Sequence, residues 1–283
     1  MAVSLPLTEL QAIRVLSTEL IPTAWKPVDL RCPGGDGSEV DVRVKLVRCP
    51  DSAAVSVAET IGYLVFSALG LPMAPGHWVT VSEGFAEELG KQFPELGEGV
   101  IAGPHWGTTV LHAQSVEFTA AHAARLRTRS DLFRIYLGDV VLGNSDRTTQ
   151  GNVLLLKDGR AGFDVIPIDQ SDCFDHPSGM RNANHLKSKV ASSLAKALPG
   201  LDGVVLEAGE GFPEREIRRV QEIKPVLVNA ARVPDPDWYG KAGVSSTDLA
   251  DWLGARIDNL PELARLSLWE GMGKFNGDAY ELL

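Results

Sequence analysis

Apolar and polar residues alternate strictly from Glu39 to Leu46, so that Val40, Val42, Val44 and Leu46 share one face and Asp41, Arg43 and Lys45 the other. A period of two predicts a strand with one buried face. The preceding run CPGGDGS, Cys32 to Ser38, supplies a hairpin turn. After Pro50 the period changes. Residues 52–70, SAAVSVAETIGYLVFSALG, put Ile61, Leu64, Val65 and Ala68 on one helical stripe, with Glu59 near Tyr63 and Phe66 on the other side. A helix apolar nearly all round is expected to be covered on two sides, and Gly70 and Pro72 stop it. Helical spacing is also read around Leu10, Ile13, Val15 and Leu16, and along Ser130–Asn144 with Ser130 as its cap. It returns from Arg215 to Ala231 and again behind a cap at Ser246. Residues 152–169 read as strand, turn and strand (VLLL, KDGRAG, FDVIPID), with Asp158 and its following glycine as the hairpin signal.

Such a hairpin folds its second strand back along its first and brings Asp169 toward Asn152, beside the loop that carries Asp146. Each residue alone is typical of a tight turn. Together, with an apolar strand behind Asp169, they favour a site. Transfer of a phosphoryl group uses a carboxylate beside the acceptor hydroxyl. It also uses an amide oxygen and a second carboxylate for the magnesium ions that bridge the phosphates of ATP. Protein kinases place the asparagine five residues after the catalytic aspartate; here Asn152 follows Asp146 by six.

Lys45 is the candidate for a phosphate-binding lysine paired with Glu59. On periodicity alone it reads as a solvated charge, and Ser56–Glu59 also reads as a capping box. A helix that starts near Ser52 removes the capping role. The GGDGS turn fits neither common phosphate-loop spacing and reads as an ordinary hairpin turn. Residues 103–109, GPHWGTT, read as a tight loop, and His105 and His112 as structural.

The segments GNSDRTTQGNVLL and IDQSDCF resemble the catalytic region of the HipA-like kinases, and more distantly the D-R-H-x-x-N loop of phosphoinositide kinases. The order Lys45, Glu59 on a helix, then LGLPMAP and a strand is similar to the small lobe of the same family. The resemblance implies Asp146 as catalytic base, Asn152 and Asp169 as magnesium ligands, and Lys45 and Glu59 as the ATP-binding pair. Two departures stand out. Thr148 occupies a position where many relatives have histidine, and Gly151 occupies the expected ligand position, so that Asn152 would need a bulge at Gly151 to reach the metal.

Composition narrows the remaining classes. A hydrophobic fraction of 44% and a charged fraction of 23% are those of an ordinary globular chain. A net charge of -10 and a pI near 5.1 argue against general nucleic-acid binding. Residues 83–98 carry five glutamates and read as a solvated face, whereas residues 176–200 carry Arg181, Lys187, Lys189 and Lys196 and no acid, which suits an acidic ligand. Three dispersed cysteines give no disulfide or zinc pattern and suit a cytoplasmic setting, and the run from Ile61 to Trp78 is too short and too broken by proline to span a membrane. The expectation is therefore an α+β, two-lobed, protein kinase-like fold, with a strand-rich lobe over 1–110 and a helical lobe over 111–283. Its activity would be ATP- and magnesium-dependent transfer to a protein hydroxyl. The alternatives are a pseudokinase that only binds nucleotide, or an enzyme of this fold that transfers AMP or acts on a small molecule or lipid.

Overall fold

The alternating run becomes the middle of a sheet. The computed structural model describes residues 7–21, 23–96, 99–111, 113–115, 117–148, 152–157, 161–174, 176–182, 186 and 195–271. Strands β1 (Thr8–Gln11), β2 (Arg14–Val15), β3 (Val28–Pro33), β4 (Glu39–Lys45), β5 (Gly76–Val81) and β6 (Gly103–Thr109) form one sheet in the order β1-β5-β6-β4-β3-β2. Its pairs are antiparallel except β1 with β5, which is parallel. The GGDGS turn closes β3 onto β4 beside Pro33 and Glu39, at the end away from Lys45. A smaller sheet, β7 (Gln114–Ser115), β8 (Val153–Leu156) and β9 (Asp164–Pro167), follows in the order β7-β8-β9.

Helix α1 (Pro50–Ala68) lies between β4 and β5, and α2 (Glu83–Gln92) between β5 and β6. The helical part comprises α3 (Ala120–Ala123), α4 (Ser130–Leu142), α5 (His176–Met180), α6 (Leu201–Ala208), α7 (Phe212–Glu222), α8 (Lys224–Ala230), α9 (Pro236–Ala242), α10 (Ser246–Asp258) and α11 (Leu260–Gly271). The whole is α+β: a strand-rich sheet joined to a mainly helical part. Among the described residues no helix is long and apolar enough to cross a membrane.

Several sequence expectations are corrected. Residues 8–15 are strands and not a helix: Leu10 pairs with Val79 along β5 and turns inward, while Ile13 is left exposed. Edge pairing with β5 overrides a short apolar spacing that fits a helix equally well. Residues 103–109 are a strand flanked by β4 and β5, not a loop. Gly107 is there for space, since a Cβ would stand 2.6 Å from Val42 Cγ1. Arg129, not Ser130, takes the cap position of α4, and Ser245, not Ser246, caps α10 by accepting the Asp248 N–H. The bulge expected at Gly151 lies outside the described residues, as do the Asp158 turn, His112, Lys187 and Lys189. Of the remaining bases in that stretch, Arg181 pairs with Asp51 and Lys196 is exposed.

Helix α1 begins at Pro50, where the Ser52 hydroxyl accepts the Cys49 N–H at 2.9 Å. Ser56 is therefore inside the helix, and the box expected at Ser56–Glu59 does not form. Residues Ser52 to Phe66 are all buried, because α1 meets the sheet on one side and α4, α5, α8 and α9 on the others. At Gly138 on α4 a Cβ would overlap the Phe66 ring, so the glycine sets how closely α4 approaches α1. Trp238 on α9 is fully buried and donates its indole N–H to the Pro104 carbonyl at 3.0 Å. One hydrophobic core consequently runs from Val47 and α1 through α4 to α11, and a smaller one, closed by Ala86, Leu89, Phe93 and Leu96, holds the sheet's other apolar residues.

His105 on β6 is 1% exposed, and its Nδ1 accepts the Val47 N–H at 2.8 Å. Burial lowers its pKa to about 4, with Lys241 acting in the same direction. The folded state thus holds the ring neutral. The stability this contributes is complete above the ordinary value of 6.5 and is lost as pH falls through 6.5 toward about 4. His105→Asn keeps an acceptor for Val47 and removes the titration. Urea unfolding of the two proteins from pH 7 to 4 should show the wild type losing up to about 3 kcal/mol more than the variant; a constant difference across that range would count against the buried neutral ring.

Candidate active site

Asp139 stands in the middle of the apolar stripe of α4 and is 0% exposed. A carboxylate in such a place needs a cation and hydrogen bonds. Both arrive from the loop that follows. Gly143 ends α4 in the left-handed region, φ 62°, and Asn144 turns back so that its Nδ2 donates to Asp139 Oδ1 at 3.0 Å. The Arg147 guanidinium, 1% exposed, donates through Nε to Asp139 Oδ2 and through Nη2 to Asp139 Oδ1, both at 3.0 Å. Its remaining capacity reaches the backbone carbonyls of Asn152 (2.7 Å) and Ile168 (2.5 Å) and the Gln170 Oε1 (2.7 Å). One buried cation therefore ties α4, the loop after it and both ends of the β8–β9 hairpin together.

On that frame sit the acidic residues. The Asp146 N–H donates to Asn144 Oδ1 at 3.1 Å, which fixes the turn and leaves the carboxylate half-buried. Asn152 Nδ2 donates to both the carbonyl and Oδ2 of Asp146, each at 2.8 Å. Its amide nitrogen faces Asp146 and its oxygen is turned from those acceptors. The β8–β9 register pairs Val153 with Pro167, and the Ile168 N–H donates to the Asn152 carbonyl at 3.1 Å, so Asp169 does return beside Asn152. Asp169 adopts φ 56°, a left-handed conformation uncommon for a residue with a Cβ.

Lys45 joins the two halves. Its Nζ donates to Glu59 Oε1 and, at 2.8 Å, to Asp169 Oδ1, and the Glu59 carboxylate also accepts the Gln170 N–H at 2.9 Å. Burial opposes the charge on Lys45, yet Glu59 and Asp169 outweigh it and raise its pKa, so the ammonium persists. Burial likewise opposes ionisation of Asp169, but Lys45 and the Ser171 hydroxyl and N–H hold its carboxyl well below the usual range. Glu59 is pushed upward by burial and by Asp169, with Lys45 pulling the other way.

These groups line a cleft of about 430 Å³ that also contains Asn152, Trp106, Val110, Leu111 and Ile168. From the sheet side it is lined by Ile21, Thr23 and Pro27 of the β2–β3 connection, whose sequence from Leu16 to Pro27 contains no glycine. In the same connection the centre of the Trp25 ring lies 6.2 Å from that of His176, the first residue of α5.

No protein-family model and no curated protein sequence matches this chain. Solved structures do. The proinflammatory kinase CtkA of Helicobacter pylori superposes with a TM-score of 0.52, covering 93% of this chain and 98% of its own, at 12% identity. The fold is kinase-like.

Within that fold the structure brings Lys45, Glu59 and Asp169 into direct contact and Asn152 into contact with Asp146. Sequence reasoning missed the residues beneath them: Asp139, Asn144, Arg147 and Gln170. A signal existed, because an aspartate on the apolar stripe of a buried helix requires a cation, and Arg147 is the next one along the chain after Asp139. Among the described residues no three His, Cys, Asp or Glu side chains gather around a common metal position. Asn152 and Asp169 nevertheless offer oxygen donors in one cleft, which fits magnesium, since that ion keeps several waters and uses one or two carboxylates with phosphate oxygens.

Asp139→Asn leaves the Arg147 charge buried without its counter-ion and should cost about 3–5 kcal/mol in urea unfolding. Asp146→Asn, on the half-exposed rim, should stay within about 1 kcal/mol of wild type in the same measurement. Equal losses would show that the two aspartates share a structural role.

Proposed function

We propose that this protein is an ATP- and magnesium-dependent phosphotransferase of the HipA-like type, acting on hydroxyl groups of a protein. The observation that carries the reading is the Lys45 ammonium held between Glu59 and Asp169 in a cleft that also contains Asn152. A kinase-like fold shared with a known kinase supports it.

Each residue has work to do in such a reaction. Lys45 stays charged and draws the phosphates toward the sheet side, while Glu59 keeps the ammonium aimed into the cleft. Asn152 and Asp169 would hold magnesium, which when bound neutralises phosphate charge. Asp146 orients the acceptor hydroxyl and takes its proton as the oxygen bonds to the γ-phosphorus and the bond to the leaving ADP breaks. The low pKa of Asp169 keeps it an anion for the cation at any working pH.

Purified protein incubated with labelled ATP and magnesium should transfer the γ-phosphate, and Asp146→Asn should remain folded and nucleotide-binding while losing about 100-fold or more in rate. Full activity in that variant would remove Asp146 from the chemistry. Retention of the α-phosphate label on the product would identify AMP transfer instead.

Lys45→Met and Glu59→Gln should each weaken nucleotide-dependent activity, and the double variant should lose less than the sum of the two. Strict additivity in kcat/KM would mean that the pair seen here does not act as a unit.

A further inference from the structure

Gln170 follows the strained Asp169 and is 2% exposed, although it faces both the cleft and α1. Its neighbours define the orientation of its amide. A guanidinium can only donate, so the oxygen must be the atom 2.7 Å from Arg147 Nη2. The amide nitrogen then points into the interior, where it finds no acceptor among the described residues. A leucine would fill the same volume without that unmet donor, so packing alone does not account for a glutamine. The stem of the side chain lies in a slot that α1 leaves open at Gly62, where a Cβ would stand 2.7 Å from both Cβ and Cγ of Gln170. Its backbone N–H is bound to Glu59.

We propose that Gln170 is a positioning residue: its amide oxygen, gripped by Arg147, and its stem, seated over Gly62, hold Asp169 in the left-handed conformation that faces Lys45. Aspartate visits the left-handed region more readily than most residues with a Cβ, helped by local hydrogen bonds, and its neighbours decide whether φ 56° is kept. Lys45 and Ser171 restrain the Asp169 side chain. Gln170 restrains the peptide that follows, and through Arg147 it refers Asp169 to the loop that carries Asp146. The nucleotide readout below rests on the proposed function; the exchange readout does not.

Two substitutions separate this from gap-filling. Gln170→Leu keeps the volume and removes the acceptor, whereas Gln170→Glu keeps an acceptor for Arg147 and removes the unmet donor. Amide hydrogen exchange over residues 168–174 of the ligand-free protein should accelerate roughly ten- to a hundredfold in Gln170→Leu, the range expected for losing a hydrogen bond to a charged group. The Kd for magnesium–ATP should rise by a similar factor, and Gln170→Glu should stay near wild type in both. Gly62→Ala, which crowds the stem and changes no polar group, should behave like Gln170→Leu and decides the matter if the leucine variant does not fold. Wild-type exchange in Gln170→Leu with impaired Gln170→Glu, or wild-type exchange in Gly62→Ala, would overturn the proposal. If the wild type binds no magnesium–ATP, the proposed function fails, and the exchange rates alone then decide the role of Gln170.

Discussion

The buried pair of Asp139 and Arg147 is the constraint on which the site depends. Removing two charges from water costs more than their mutual attraction returns unless the remaining hydrogen-bonding groups are met. Here they are met by main chain and amide groups: the carbonyls of Asn152 and Ile168, the Gln170 oxygen and the Asn144 amide. An apolar pair could occupy the same space. It could not specify where two separate loops begin and end. The ion pair makes the ends of the β8–β9 hairpin and the loop after α4 mutually dependent, so the side chains of Asp146, Asn152 and Asp169 are held by a frame that none of them builds.

A second constraint comes from α1. The helix is buried from Ser52 to Phe66 and belongs to the main hydrophobic core. Its contacts with α4, α8 and α9 place Glu59 as firmly as the sheet places Lys45. The two ends of the ion pair are therefore fixed independently, and Asp169 completes the group from a third direction. In a phosphotransferase, a lysine so held would be aimed by three separate elements.

Much of this was legible in the sequence, because the relevant signals are local. The alternation through Lys45, the stripe of α1 and the apolar–turn–apolar pattern before Asp169 each name an element and a face. The pairing of Glu59 with Lys45 came from the resemblance to the small lobe of the HipA-like kinases; the start of α1, which Pro50 sets, only removes the capping alternative. The misses were of another kind. Leu10 belongs to a short edge strand that pairs with β5, some 70 residues away, and Val15 to the opposite edge strand, which pairs with β3. The glycines of GPHWGTT look like punctuation, yet Gly107 is there because Val42 and Val44 press on it. Arg147 was passed over beside the more conspicuous Asp146, since its signal lies outside the loop, in Asp139 on the apolar stripe of the helix before it.

The bond from Trp238 to the Pro104 carbonyl spans 134 residues of chain. On the ribosome, β6 and α1 emerge long before the segment that covers them, and loop closure over such a separation is slow compared with forming local helices and hairpins. The strand-rich part must therefore wait, with α1's apolar surface open, until α9 has been made. A chain interrupted before Trp238 would leave part of that surface open, on the same helix that carries Glu59.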